Sequence, residues 1–208
     1  MTETHLNENA MPAPSLPSNI QKDKQTYLDN LLNTYDKIFE MEHFEEHELH
    51  LAATAHYMES AKKGFLRAER HEHVFLFDLS ALDGDTFSRI RDWVLETGVE
   101  KINPTKGYLS TFLTAVILTG SVADDVRPMI AAYSKVLKLK RQKKGYVNQR
   151  ICIVDFADHV VLSNKDAKEL GDFLQNFFTF AEEQKTQPAP SEATDISTEK
   201  STEEKSNS

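Results

Sequence analysis

His43, Glu46 and His47 follow the pattern H-x-x-E-H. On a helix that spacing sets two imidazoles one turn apart with a carboxylate beside them, the ligand arrangement of a zinc-dependent hydrolase. The surrounding residues argue against the helix. HFEEHE is rich in charge, and from Leu49 onward Leu49, Leu51, Ala53, Ala55 and Tyr57 recur at every second position. That alternation is a strand pattern, and it ends any helix before the ligands align. The expected reading is a solvated segment whose histidines titrate near neutral pH. A metal hydrolase centred on His43, Glu46 and His47 is the alternative. His56, His71 and His73 read as packed or surface residues of strands.

No other catalytic pattern is complete. Seven glycines scattered singly make neither a P-loop nor a dinucleotide fingerprint. No G-x-S-x-G elbow presents a serine nucleophile. Asp155 and Asp158 have the spacing of turn aspartates, which bond their own backbone, and no further oxygen ligand is placed as in a calcium loop. Cys152 is the only cysteine and lies within the apolar run ICIV, so it reads as a structural thiol in a reducing compartment. No cofactor is expected.

The least random feature is a segregation of charge. The formal net charge is -9, yet no carboxylate occurs between Asp125 and Asp155, while Arg127, Lys135, Lys138, Lys140, Arg141, Lys143, Lys144 and Arg150 all do. Such a cluster makes a local positive field that attracts phosphates or acidic side chains. Within KVLKLKR, Leu137 and Leu139 alternate with Lys138 and Lys140, the pattern of a strand with one packed and one wet, cationic face. Lysines on an exposed strand also discourage edge-to-edge pairing, which accounts for Lys138 and Lys140 without any ligand. Tyr146 beside Lys143 and Lys144 adds a ring to the charge, the combination found on surfaces that bind single-stranded nucleic acid. The candidate binding residues are therefore Lys135, Lys138, Lys140, Arg141, Lys143, Lys144, Tyr146 and Arg150, with nucleic acid or an acidic protein as partner. A purely structural or oligomerising role is the remaining possibility.

Length and composition bound these readings. A chain of 208 residues with 39% hydrophobic content carries a sizeable core. Residues 1–24 hold three prolines and no repeating apolar face, and read as a disordered arm. From about Ala181 the chain has seven acids, three lysines and no aromatic residue, the composition of a solvated acidic tail. A single domain over 25–180 is the expectation. The chain start has no basic segment followed by an apolar one, and no stretch reaches the ~18 apolar residues of a membrane span. A cytoplasmic protein without a membrane partner is expected.

The elements follow from periodicity. Leu28, Leu31, Leu32, Tyr35, Ile38 and Phe39 form one helical stripe behind a Thr26/Asp29 capping box. LHLAATAHYM, GFLRAER and HVFLFDL read as three strands of an antiparallel meander, with Gly64 at a turn. A helix covers roughly 85–97 and ends at Gly98. YLSTFLTAVILTG reads as a strand buried on both faces, with a buried helix as the alternative, and Val126, Met129, Ile130 and Tyr133 mark a short helix with Pro128 in its first turn. A strand at KVLKLKR, a hairpin of RICIVDF and HVVLS, and a helix capped by Ser163 and Asp166 complete the chain. Runs of strands and helices in this order give an α+β fold, a mixed or mostly antiparallel sheet with about four helices.

Three stretches, YLDNLLNTYDKIFEME, YLSTFLTAVILTG and SKVLKLKRQKKGYVNQRICIVDFADHVVLSNKDAKEL, resemble a family of small bacterial proteins known only as an uncharacterised domain. The resemblance covers most of 25–175 and implies one domain, with no activity, cofactor or catalytic residue to carry over. The opening order of helix, three strands, helix and strand is also similar to that of restriction-endonuclease-like proteins. Those nucleases hold a metal with an acid on one strand and a D/E-x-K triplet on the next. Here the third strand reads Asp78, Leu79, Ser80, with serine in the place of lysine, and Glu69 is the acid in the strand before it. A metal-activated water would lack its third partner, so nuclease activity is not expected.

Overall fold

A computed structural model describes residues 16–45, 47–63, 66–139 and 145–186. The Gly64 turn, residues 1–15 of the expected arm and the tail from 187 lie outside the described residues. In chain order the elements are α1 (Ser18–Tyr35), β1 (Glu40–His43), β2 (Leu51–Lys63), β3 (Leu66–Leu79), α2 (Gly84–Glu100), β4 (Tyr108–Thr119), α3 (Val126–Ala132), β5 (Lys135–Lys138), β6 (Tyr146–Asp155), β7 (Val160–Ser163) and α4 (Lys168–Thr186). Among the described residues, seven strands form one open mixed sheet in the order β1-β2-β3-β4-β6-β5, with β7 also paired to β6. The fold class is α+β.

The centre of the sheet is parallel, since β3, β4 and β6 run in one direction. On one side β2 and β1 continue antiparallel; on the other, β5 and β7 each pair antiparallel with a different half of β6. Two apolar layers hold the helices. Phe75, Phe77, Leu113, Ala115, Ile117, Ile151 and Ile153 face Phe87, Ile90 and Val94 of α2 and Val126 and Ile130 of α3. On the opposite face Val74, Leu76, Val116, Leu118, Cys152 and Val154 pack against Tyr27, Leu28 and Leu31 of α1 and Leu174 and Phe178 of α4. Burial on both faces explains why YLSTFLTAVILT shows no alternation of apolar and polar residues.

Several expected boundaries move. The first helix starts at Ser18, directly after Pro17, so the expected arm contributes its last residues to α1. Thr26 lies inside that helix and its hydroxyl donates to the Lys22 carbonyl at 2.9 Å, leaving the Thr26/Asp29 pair with no capping role. The helix also ends at Tyr35, which leaves Ile38 58% exposed rather than on the buried stripe. GFLRAER and HVFLFDL are one continuous strand, β3, because no glycine or proline interrupts Leu66–Leu79. The third strand of the opening set is instead β1, four residues long. Gly98 does not terminate α2. A Cβ there would lie 2.6 Å from both Leu113 methyl carbons, so the glycine allows α2 to approach β4 closely.

The turn into the last helix depends on Asn164 rather than Ser163. Its side chain is fully buried, accepts from Ile151 N–H at 3.0 Å and donates to the Gln149 carbonyl at 3.1 Å. Asn164→Ala strands two buried backbone groups of β6, and chemical denaturation should register a loss of about 2 kcal/mol.

Candidate functional site

The short outer strand β5 pairs with the start of β6 in the register Lys135↔Gln149 and Lys138↔Tyr146. Leu137 and Leu139 pack against the core on the α2 side. Lys138 and Val136 point to the other face, where Val136 is 49% exposed and Tyr146 41%. Strand alternation sets Lys135 on the side opposite Lys138, toward Asp92. The Asp92 carboxyl is held below its ordinary range, first by its hydrogen bond from Arg91, with Lys135 adding to the effect. Lys135 and Lys138 thus serve different faces. Lys140, Arg141, Lys143 and Lys144 lie outside the described residues.

Among the described residues, the arginines of the cationic segment are engaged. Arg150 lays its guanidinium 3.5 Å from the centre of the Phe112 ring and approaches Glu72 at 3.6 Å. Glu72 also accepts from the Thr114 hydroxyl at 2.8 Å. Arg127 meets Asp155 at 3.2 Å and also Asp158, bracing the β6–β7 turn. Asp155 in addition accepts from the backbone N–H of Ala157 at 3.1 Å, as expected of a turn aspartate, and burial raises its carboxyl. Beside Tyr146, the Phe112 ring stands edge-on with centroids 6.5 Å apart. Tyr146, Phe112, Arg150 and Lys138 therefore share one face at the amino ends of the parallel strands.

The described residues of the H-x-x-E-H segment are not helical. His43 is the last residue of β1, with Nε2 3.7 Å from Asp36, and Glu46 lies outside the described residues. His47 sits in a turn with its ring against Phe44 and Trp93, and its Nδ1 faces Leu49 N–H at 3.4 Å. Among the described residues, no group of three or more His, Cys, Asp or Glu side chains is arranged to hold a metal ion. The Cys152 thiol is buried and pushed up to about 12 by desolvation, as suits a packing residue.

A cavity of about 730 Å³ lies at the carboxyl ends of β3, β4 and β6, where ligands of parallel sheets commonly bind. Leu16, Pro17 and Ile20 wall one side, and His50, Asp78, Ser80, Arg89 and Ser121 supply polar groups. Two of its lining residues hold a buried cation: the Lys24 ammonium contacts the Asp78 carboxylate at 2.6 Å and the Leu79 carbonyl at 2.7 Å. Sequence reasoning missed this lysine because it lies in a polar stretch read as an arm. The geometry also bears on the nuclease comparison. Glu69 and Asp78 stand on the same strand, nine residues and so roughly 30 Å apart, too far to share a metal. Glu69 is instead bound by Arg67 at 2.8 Å and by the Thr105 hydroxyl.

Over residues 23–176 the chain matches a family model described as a domain of unknown function (DUF8052), and it belongs to that family. No curated protein and no solved structure matches it. No helix among the described residues is long and apolar enough to cross a membrane.

Proposed function

We propose that this chain is a non-enzymatic binding domain that contacts single-stranded nucleic acid through β5 and the segment 135–150. The observation that carries the reading is the cross-strand pair of Lys138 and Tyr146, a cation and a half-exposed ring side by side on one face. The Phe112 ring beneath Arg150 extends that surface. Rings with adjacent cations bind successive bases and their backbone without reading sequence. Lys140, Arg141, Lys143 and Lys144 follow directly in sequence and add to the local charge. An acidic protein would use the lysines and leave the rings idle, so the rings favour nucleic acid.

Fluorescence anisotropy with labelled single-stranded and duplex oligonucleotides and an acidic peptide, over a salt series, tests the reading. Single strands should bind best, with a log–log salt slope of about -0.7 for each phosphate contacted. Tyr146→Ala should weaken binding by about 1–3 kcal/mol, roughly 5- to 150-fold, at every salt concentration. Charge reversal of Lys138, Lys140, Arg141, Lys143 and Lys144 to glutamate should abolish it. Binding unaffected by the reversal sinks the proposal, and capture of the acidic peptide alone replaces nucleic acid with a protein partner.

A further inference from the structure

Three histidines that look unrelated in sequence meet on the α2 side of the sheet. His56 of β2 and His73 of β3 are register partners, and their rings lie nearly parallel with centroids 4.5 Å apart. His71, two residues before His73 and so on the same face, places Nδ1 3.3 Å from His56 Nε2. Its ring is 12° from parallel to His56 at 5.6 Å, and the Tyr108 ring follows at 6.0 Å. These rings, with Lys101 just beyond α2, Asn103 and Thr111, enclose a cavity of about 150 Å³. That volume exceeds the ~30 Å³ share of one water several times over and accommodates a small tetrahedral ion.

The geometry distinguishes between two kinds of guest. The 3.3 Å nitrogen contact lies almost along the line between the ring centres of His56 and His71, so each nitrogen faces the other. A proton fits between them, whereas a metal needs lone pairs that converge on a third point. The charges around the hole also favour an anion. Lys101 contributes an ammonium, and the ring nitrogens not used in the His56–His71 contact contribute donors once protonated. The nearby carboxylates balance them only in part, Glu69 favouring the charged form of His71. Glu69 is taken by Arg67 and Thr105, Glu40 is 92% exposed at 3.7 Å from His56, and Glu42 lines only the adjoining cavity.

We propose that the cavity bounded by His56, His71, His73 and Lys101 binds a phosphate-type oxyanion and takes up protons on the imidazoles as it does so. The site shares no residue with the cationic segment. The surroundings oppose protonation: burial first, then His56, Lys101 and His71 hold His73 down to about 4, and burial followed by His56 lowers His71 against a smaller upward effect of Glu69. Between about 4 and the ordinary 6.5 the unfolded chain therefore binds more protons at His73 than the folded one, and stability falls as pH drops through that window. A bound oxyanion supplies the missing negative charge and reverses the trend.

Isothermal titration of the full chain with inorganic phosphate, at about pH 6 and about pH 8, tests the site. A second titrant, a 5′-phosphorylated mononucleotide, asks whether the phosphate belongs to a larger ligand. Phosphate should bind at least about tenfold more tightly at the lower pH, and sulfate, which unlike phosphate does not itself take up a proton between these pH values, should show the same preference with proton uptake visible as a buffer-dependent heat. His71→Gln should flatten the pH dependence, and Lys101→Gln, at an exposed position, should weaken binding at both pH values. Binding of the mononucleotide alone supports the site with the phosphate carried by a larger molecule. The proposal is overturned if none of the titrants binds at the lower pH, if affinity does not change with pH, or if both variants bind like the parent while Trp93 fluorescence shows them folded.

Discussion

Phe77→Ala should lower the unfolding free energy by about 3–5 kcal/mol. The ring is fully buried in the layer between the sheet and α2, and it stands edge-on to Trp93 at 6.1 Å. Removing it deletes apolar contact and leaves a cavity in strands that cannot close, because β3 is fixed by hydrogen bonding to β2 and β4 on either side. Domains are stable by only about 5–15 kcal/mol, so the variant should sit near the limit of folding. Trp93 is the sole tryptophan and touches both Phe75 and Phe77, so its fluorescence follows the transition in urea. A midpoint within experimental error of the parent would show that this layer is not the core.

The second large effect concerns the Lys24–Asp78 pair. Asp78→Ala leaves the Lys24 ammonium, only 7% exposed, with the Leu79 carbonyl as its remaining partner, and should cost about 3 kcal/mol. Lys24→Met should cost clearly less, because the Asp78 side chain is 31% exposed and can rehydrate. The double variant should recover most of the Asp78→Ala loss, since the buried charge is then gone. A double-mutant cycle in urea measures all three values. Equal losses for both single variants would contradict the asymmetric burial on which the prediction rests.

The sequence revealed most where burial is extreme. The stripe Phe87, Ile90 and Val94 of α2 leaves no choice of face, so element and orientation follow from the residues alone, and the continuous apolar run of β4 announces burial on all sides although periodicity suits a buried helix as well as a strand. The start of α1 was hidden because its stabilising contacts are tertiary: Lys24 reaches Leu79, and the Tyr27 hydroxyl donates to the Leu174 carbonyl 147 positions away. Site geometry depended on register, which local pattern does not supply. His56 and His71 are 15 residues apart and meet only because the β2–β3 hairpin pairs His56 with His73. By contrast H-x-x-E-H looked like a site because its spacing suits a helix, and the chain there forms the end of a strand and a turn. The alternation of Leu137 and Lys138 was legible, whereas the capture of Arg150 by Phe112 and Glu72 required three strands to assemble.

The position of β4 has a consequence for how the molecule opens. Over residues 113–118 it has a parallel neighbour along each edge and a helical layer over each face, so fraying at any rim leaves those amides shielded. Their exchange with deuterated solvent then waits for the whole sheet to come apart, and their protection factors read out global stability. The hairpin ribbon beyond Tyr57, which β1 does not reach, exchanges through smaller excursions of its own.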